Sequence, residues 1–241
     1  MCTVVLTLRP GHAWPLLLGA NRDERLDRPW DGPGAHWPDR PEVMAGRDRQ
    51  GGGTWMAVGH HVVAAVLNRP GSLGSAPGKL SRGELPLVAA GHASAAAAAT
   101  ALVGLDASAY RPFNMVLADR ASAWFVRGLG IGQPEAWVFA PGTHIVTSHD
   151  PDDPASIRGA AHLPRFRSAP LPDPGTGDWA AWTALLSDRT GGPAAINVPA
   201  QDGFGTICSA LVGLPAAGGP VWLFAAGPPD RAPFQPVAFA S

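Results

Sequence analysis

Cys2 is the first residue whose type and position point to chemistry. It directly follows Met1, and an initiator methionine before a small residue is readily trimmed, so processing would leave a thiol and a free α-amine on one residue. An α-amine titrates near ~7.7–8.0 and can take the proton of the adjacent thiol close to neutral pH. Cys2 would then supply both nucleophile and base. The alternative is a small hydrophobic side chain at the start of a buried strand.

A polar cluster, Asn21-Arg22-Asp23-Glu24, ends the next apolar run. Because Pro10-Gly11 separates this run from the one that contains Cys2, we predict that the two runs pair as a hairpin. Asp23 could then hold the terminal amine, and Arg22 could lower the pKa of the thiol or bind a substrate carboxylate. The alternative is a solvated turn capped by Asp23.

Asn68 and His149 are further candidates because each follows an apolar run. An asparagine side chain can stabilise an oxyanion during acyl transfer, although asparagine before a Pro-Gly turn is equally a common turn residue. His149 could act as a general base or an oxyanion donor. Ser148-His149-Asp150 does not form a serine triad, since consecutive side chains on an extended chain point apart.

No cofactor and no metal site is predicted. His60-His61 and the other histidines lack a His-Glu-x-x-His pattern, and Gly51-Gly52-Gly53 fits neither glycine-rich nucleotide-binding motif. Two cysteines, Cys2 and Cys208, are too few for a disulfide framework or a four-cysteine zinc site. We therefore expect a reduced, cytoplasmic protein and assign no role to Cys208.

The length and composition exclude several classes of protein. With 241 residues, 46% of them hydrophobic, the chain can bury a sizeable core, and we treat residues 1–241 as a single domain. No run approaches the ~18 apolar residues of a membrane-spanning helix, and no basic segment precedes an apolar stretch at the start, so we predict neither a membrane span nor a secretion signal. A net charge of -1 gives no reason to expect nucleic acid as a partner. The oligomeric state is left open.

Apolar runs between turns rich in glycine and proline predict the order of elements. The predicted strands are 2–9, 14–20, 54–58, 62–67, 113–119, 123–127, 136–140, 144–148, 205–214 and 221–226. The predicted helices are 82–90, 93–103, 155–163 and 178–186, with loops at 27–40 and 164–177. Ser81 and Glu84 have the spacing of a capping box at the first helix. Strands at both ends of the chain and helices between them favour an antiparallel α+β fold over alternating βαβ units.

The ordered motifs resemble the NRDE family, which is named for its Asn-Arg-Asp-Glu motif and is also called the transport and Golgi organization 2 family. The resemblance covers most of the chain and is densest in residues 1–120. The motifs that carry it are Met1-Cys2-Thr3, Ala20-Asn21-Arg22-Asp23-Glu24, Gly52-Gly53-Thr54-Trp55, Asn68, Ser81-Arg82-Gly83-Glu84-Leu85 and Phe113-Asn114-Met115-Val116.

This family is in turn similar to N-terminal-nucleophile (Ntn) hydrolases of the bile salt hydrolase and penicillin V acylase type. The resemblance implies a four-layer αββα sandwich of two antiparallel sheets. It also implies Cys2 as nucleophile, Asp23 as the group that orients its amine, and Asn68 as part of the oxyanion site. We add Arg22 to the catalytic residues, and we expect the substrate to contact Asn21, Glu24, Trp55 and His149.

Three positions depart from the pattern of those hydrolases. Their arginine before the asparagine is Ala20 here, so Arg22 would have to substitute for it. Their later oxyanion asparagine falls near His149. A Gly-Thr-Arg sequence common near the family's C-terminus appears as Gly205-Thr206-Ile207, without the positive charge.

Together these observations predict a hydrolase that cleaves a non-peptide amide C–N bond of a small molecule through a Cys2 thioester. The alternative is a non-catalytic protein that binds or carries haem or an acyl-thioester such as acyl-coenzyme A. The expected partner is accordingly a small-molecule amide, an acyl-thioester or haem.

Overall fold

The computed structural model describes residues 2–72, 74 and 76–239. These residues form thirteen strands and four α-helices. The strands are β1 Thr3–Leu8, β2 Leu16–Arg25, β3 Trp30–Gly34, β4 Met44–Asp48, β5 Met56–Val58, β6 Val63–Asn68, β7 Phe113–Ala118, β8 Ala123–Gly128, β9 Glu135–Val138, β10 Gly142–Val146, β11 Phe204–Leu214, β12 Val221–Ala225 and β13 Gln235–Pro236. The α-helices are α1 Leu85–Ala90, α2 Ala95–Val103, α3 Ile157–Ser168 and α4 Ala180–Leu186.

The chain forms two compact units. The terminal unit combines Met1–Asp27 with Pro141–Ser241, and the central unit is Arg28–Ala140. That residues 1–241 act as a single domain stays a prediction.

The terminal unit contains a six-stranded antiparallel sheet in the order β10-β1-β2-β11-β12-β13. Val5, Leu17 and Leu211 point to one face of this sheet, where they pack against Phe166 of α3 and Trp182 of α4. Gly19 lies opposite Val5 on the same face, and a Cβ atom there would come within 3.2 Å of both Leu186 and Trp182. The missing side chain therefore allows helix α4 to approach the sheet closely.

The central unit contains a seven-stranded antiparallel sheet in the order β3-β4-β5-β6-β7-β8-β9. Helices α1 and α2 cover one of its faces, where the small residues Ala95, Ala98 and Ala99 pack with Met115 and Leu117 of β7. Alanine combines a high helix propensity with a small side chain, so the run 95–99 both forms a helix and lies close to the sheet.

The predicted α+β fold with two antiparallel sheets is confirmed, as is the hairpin of β1 and β2. The predicted loop 27–40 was wrong at Trp30–Gly34, which is a strand at the edge of the central sheet. Pro33 is tolerated there because an edge strand has one side without ladder hydrogen bonds.

Helix α3 continues past Pro164, although the sequence predicts a loop from this residue onward. Proline removes one hydrogen bond of the helix, but tertiary contacts hold the following turn in place. The ring of Phe166 packs edge-on against Trp182 with a centroid distance of 5.5 Å, and Arg167 Nε donates to the carbonyl oxygen of Thr143 at 3.1 Å.

The predicted capping box at Ser81 is not formed. The Ser81 hydroxyl accepts from the backbone N–H of Gly83 at 3.2 Å, one residue before the N–H of Glu84 that a capping box requires. The Glu84 carboxylate instead accepts from the Tyr110 hydroxyl at 2.5 Å, because the fold brings a stronger donor to it than the backbone N–H of Ser81. The first turn is a 3₁₀ helix, and helix α1 begins after it with Pro86 in its first turn, where a missing N–H costs little.

Candidate active site

The ends of four neighbouring strands meet at one end of the terminal sheet. Thr3 at the start of β1 lies opposite Asn21 near the end of β2, and Val4 lies opposite Val146 at the end of β10. On the other side of β2, Asp23 lies opposite Thr206 near the start of β11. The chain therefore places the predicted residues of its first 24 positions beside segments that are far away in sequence.

The register decides which face of the sheet each side chain occupies. Residues opposite each other point to the same face and successive residues alternate, so Thr3 and Asn21 point toward the helices. Cys2 and Arg22, one position away from them, lie on the opposite face, as does Cys208, which pairs with Arg22. The thiol and the guanidinium of Arg22 thus share one face.

A β-bulge changes the direction of Thr206. The register shifts between Thr206 and Cys208, so that Ile207 is an extra residue on β11. In a regular strand Thr206 and Cys208, two positions apart, would point to the same face. With the bulge, Thr206 pairs with Asp23 and points to the helix-facing side.

The Asp23 carboxylate is fully buried and hydrogen-bonded through both oxygens. Its Oδ2 accepts from Nη1 of Arg158 at 2.7 Å, and its Oδ1 accepts from the hydroxyl of Thr206 at 2.7 Å. The Thr206 oxygen in turn accepts from the backbone N–H of Val198 at 2.7 Å. Buried charge is expensive unless it is paired and hydrogen-bonded, and here both conditions are met.

Arg158 is a site residue that was not predicted from the sequence, because its burial depends on how α3 packs. Arg158 is the second residue of α3, which begins after the N-cap Ser156. The N-terminal end of a helix carries positive partial charge, so a buried arginine in the first turn is unfavourable unless an anion faces it. In the folded protein Asp23 is that anion.

Cys2 is half-buried and free, and its Sγ lies 3.8 Å from the backbone carbonyl oxygen of Asp23. Burial raises the pKa of the Cys2 thiol above its ordinary value, whereas the positive charge of Arg22 acts in the opposite direction. A thiol in this environment is protonated near neutral pH and needs a base before it can attack a carbonyl.

Arg22 and Glu24 lie on the same face as Cys2 by alternation along β2. The Arg22 side chain is buried, and its Nη2 is 4.0 Å from Oε2 of Glu24. Glu24 also accepts from the backbone N–H of Arg25 at 2.9 Å. The structure therefore brings a positive and a negative side chain to the thiol face, and their roles in catalysis and binding stay predictions.

Asn21 uses its amide to connect distant segments of the terminal unit. Its Nδ2 donates to the carbonyl oxygens of Leu186 and Ile196, each at 2.9 Å, and its Oδ1 accepts from the Ser209 hydroxyl at 2.7 Å. The side chain is buried on the helix-facing side. Through these contacts Asn21 stabilises the packing of the terminal unit. Its contact with substrate stays a prediction.

His149 follows the end of β10 in the terminal unit and is half-buried. Its Nδ1 lies 3.3 Å from the Ser148 hydroxyl, and its backbone N–H donates to Thr147 Oγ1 at 3.4 Å. The hydroxyl of Thr147 is 2.8 Å from that of Ser156, the N-cap of α3. This chain of contacts connects the segment of His149 to the same helix start that carries Arg158.

Asn68 and Trp55 belong to the central unit. Asn68 ends β6 opposite Phe113. Trp55 packs edge-on against Trp30, with ring centroids 5.8 Å apart. Their assignments to the oxyanion site and to substrate binding stay predictions.

Cys208 is buried and free, and burial raises the pKa of its thiol. Strand β2 separates it from Cys2, so their Cα atoms are about two strand spacings apart, roughly 9–10 Å. A disulfide needs Cα atoms within about 7 Å, so the two cysteines cannot bridge without movement of the backbone. Cys208 is therefore a suitable control for chemistry at Cys2.

Comparison with solved structures identifies the class of fold. The chain is similar to a Caenorhabditis elegans ortholog of N-acylethanolamine-hydrolyzing acid amidase, with a TM-score of 0.56 over 87% of this chain and 92% of that one. The sequences are 11% identical, so the likeness concerns the fold. It confirms the predicted Ntn-hydrolase-like fold.

Residues 1–165 match the family model for transport and Golgi organisation 2, and the chain belongs to this family. The resemblance read from the motifs is thereby confirmed. No curated protein sequence matches the chain. Among the described residues no helix is long and apolar enough to cross a membrane.

Proposed function

We propose that this protein is an N-terminal-cysteine hydrolase that cleaves an amide C–N bond of a small molecule through a thioester on Cys2. The observation that carries the proposal is the arrangement at the start of β1. The Cys2 thiol lies on one face of the sheet, and the Asp23 carboxylate is held on the other face by Arg158 and Thr206. The backbone nitrogen of Cys2, which becomes the terminal amine when Met1 is removed, lies in the strand between these faces.

The terminal amine is the proposed base. Because burial raises the pKa of the Cys2 thiol, the thiol does not ionise unaided near neutral pH. The amine takes the thiol proton while the sulfur forms a bond to the substrate carbonyl carbon. It then gives a proton to the leaving nitrogen as the C–N bond breaks. The products of this step are a free amine and a thioester on Cys2.

Water completes the reaction. The amine takes a proton from water as the water oxygen attacks the thioester carbonyl, the C–S bond breaks, and the sulfur recovers its proton. An acid is released, and the enzyme returns to its starting state. Asp23 holds the amine when it is protonated, and Arg22 adds positive charge on the thiol face. We assign Asn68 to the oxyanion by the resemblance to Ntn hydrolases.

The proposed substrate class is an acyl amide. The similar amidase hydrolyses N-acylethanolamine, and its fold supports an acyl amide as the first class to test. Nothing in the reaction depends on the identity of the amine, so simple acyl amides and N-acylethanolamines of different chain length form the appropriate panel.

The test follows the mass of the intact protein. Purified protein is first weighed to establish whether Met1 is removed, and it is then incubated with p-nitrophenyl acetate and with the amide panel. We expect a mass increase of one acyl group at Cys2 that hydroxylamine reverses, as it does for a thioester, together with release of amine from at least one amide. Cys2→Ala should lose both signals, and Cys208→Ala should keep both.

Other outcomes contradict the proposal. A chain that retains Met1 in its native form cannot use the terminal amine as base. Acylation that persists in Cys2→Ala places the chemistry elsewhere. Binding of haem or of an acyl-thioester without acylation or turnover supports the carrier function, and a shift of the haem Soret band that is lost in His149→Ala would identify the ligand.

A further inference from the structure

Helix α3 contributes one cation to the end of the terminal sheet. Nη1 of Arg158 donates both to Oδ2 of Asp23 at 2.7 Å and to Oγ1 of Thr3 at 2.9 Å. The Arg158 side chain is 7% exposed and the Asp23 side chain is fully buried. A single guanidinium nitrogen thus connects the residue after Cys2 on β1 to the acidic residue on β2.

This shared nitrogen determines where the carboxylate lies. Because Thr3 and Asp23 reach the same atom, the carboxylate lies over the beginning of β1, on the face that is opposite the thiol. Thr206 holds the second oxygen at 2.7 Å, so the carboxylate cannot rotate away without breaking both contacts. The Asp23 carboxylate is therefore held in one orientation beside Thr3, the residue that follows Cys2.

We propose that Arg158 is a positioning residue of the catalytic site, which holds the Asp23 carboxylate in the place where it can bind the terminal amine. This inference rests on the proposed function. Arg158 acts through Asp23, because it binds Thr3 and Asp23 on the face opposite the thiol, where the substrate carbonyl does not react.

The test is a double-mutant cycle on the rate of Cys2 acylation by p-nitrophenyl acetate, measured as the burst of p-nitrophenol. Arg158→Gln should slow acylation about 10- to 100-fold, because a small displacement of a group that positions the reacting residue is enough for a loss of that size. Asp23→Asn should slow it to a similar extent. Because Arg158 acts through Asp23, adding Arg158→Gln to Asp23→Asn should slow acylation no further. Arg158→Lys keeps the charge and should recover at least part of the rate.

Arg165→Gln is the matched control. Arg165 lies on the same helix and pairs with Asp188 at 2.5 Å, outside the strand ends that form the site. Its loss should leave the acylation rate unchanged. If Arg158→Gln does not fold, Arg158→Lys takes its place in the cycle: lysine lacks the planar guanidinium that holds Asp23, so acylation should be slower than in the wild type, with no further loss when Asp23→Asn is already present.

Each outcome has one meaning. If the wild-type protein is not acylated at Cys2, the proposed function fails and the inference fails with it. If the wild type is acylated and Arg158→Gln is acylated equally fast, the inference alone is overturned. A double variant that is much slower than Asp23→Asn also overturns it, since Arg158 would then act independently of Asp23.

Discussion

The Thr206 hydroxyl donates to Oδ1 of Asp23 at 2.7 Å across the β2–β11 pair. This contact exists because Ile207 forms a bulge in β11 that turns Thr206 to the face of Asp23. The residue at the bulge therefore affects the site through backbone geometry, even though its own side chain is apolar. Thr206 of β11 and Arg158 of α3, which both donate to the Asp23 carboxylate, are more than 130 positions away from it along the chain.

Thr206→Val should slow acylation of Cys2 about tenfold, because one oxygen of Asp23 loses its donor and the carboxylate gains freedom to move. The free energy of unfolding should fall by about 1–3 kcal/mol, since the backbone N–H of Val198 also loses its acceptor. A burst assay and thermal unfolding measure the two effects. Thr7→Val is the control: it removes the buried contact of Thr7 with Thr143 at 2.8 Å in the same sheet, and it should lower stability without changing acylation.

Residues added before Cys2 should separate its role as nucleophile from its role as base. When a Gly-Ser pair that is not cleaved off precedes Cys2, the thiol remains in place but the terminal amine belongs to another residue. We expect acylation to fall at least a hundredfold, because burial keeps the pKa of the thiol high and no base is left beside it. The melting temperature should change little. Equal acylation of extended and processed protein would contradict the mechanism.

Asn21→Ala should lower the free energy of unfolding by about 2–4 kcal/mol, because the carbonyl oxygens of Leu186 and Ile196 and the Ser209 hydroxyl all lose a buried partner. Chemical denaturation measures this loss. Asn197→Ala is a comparison, since Asn197 also donates to a carbonyl oxygen, that of Ser187, at 3.2 Å. If Asn21 also binds substrate, as predicted, the folded Asn21→Ala variant should have a raised KM. An unchanged KM would show that the role of Asn21 is structural only.

Asp188 should give the protein a pH-dependent contribution to stability. The hydroxyl and backbone N–H of Thr190, together with the Arg165 guanidinium, lower the pKa of Asp188 to about 2. A carboxyl group whose pKa is lowered by folding stabilises the protein above its unfolded pKa and loses this effect as the pH falls through its folded value. The difference in melting temperature between wild type and Asp188→Asn should therefore be full above pH ~4 and disappear toward pH ~2. A difference that does not vary with pH would contradict the assignment.

Gly53 and Gly52 should respond differently to substitution by alanine. A Cβ atom on Gly53 would lie 2.4 Å from the backbone carbon of Gly83, so Gly53→Ala should force the two segments apart and destabilise the protein by about 2 kcal/mol or more. Gly52 has open space around it but a φ of +72°, and Gly52→Ala should cost about 1–2 kcal/mol through backbone strain alone. Urea denaturation of both variants tests the order, and equal losses would contradict it.

Much of the fold could be predicted from the sequence because alternating apolar runs and turn residues are local signals. The hairpin of β1 and β2, the Gly59-His60-His61 turn between β5 and β6, and the alanine-rich helix α2 follow from such signals. The strand at Trp30–Gly34 and the continuation of α3 past Pro164 could not be predicted. Both depend on contacts with partners from elsewhere in the chain, which outweigh the local preference of proline.

The candidate site divides in the same way. A cysteine after Met1, an Asn-Arg-Asp-Glu cluster at the end of the paired strand and the resemblance to the family can all be read from the residues alone. The contacts of Arg158 and Thr206 with Asp23 and the link of Asn21 to Leu186 and Ile196 appear only after folding, as does the face that Arg22 shares with Cys2. The physical reason is that strand register, the bulge at Ile207 and the docking of α3 are set by side chains that meet only when the chain is folded.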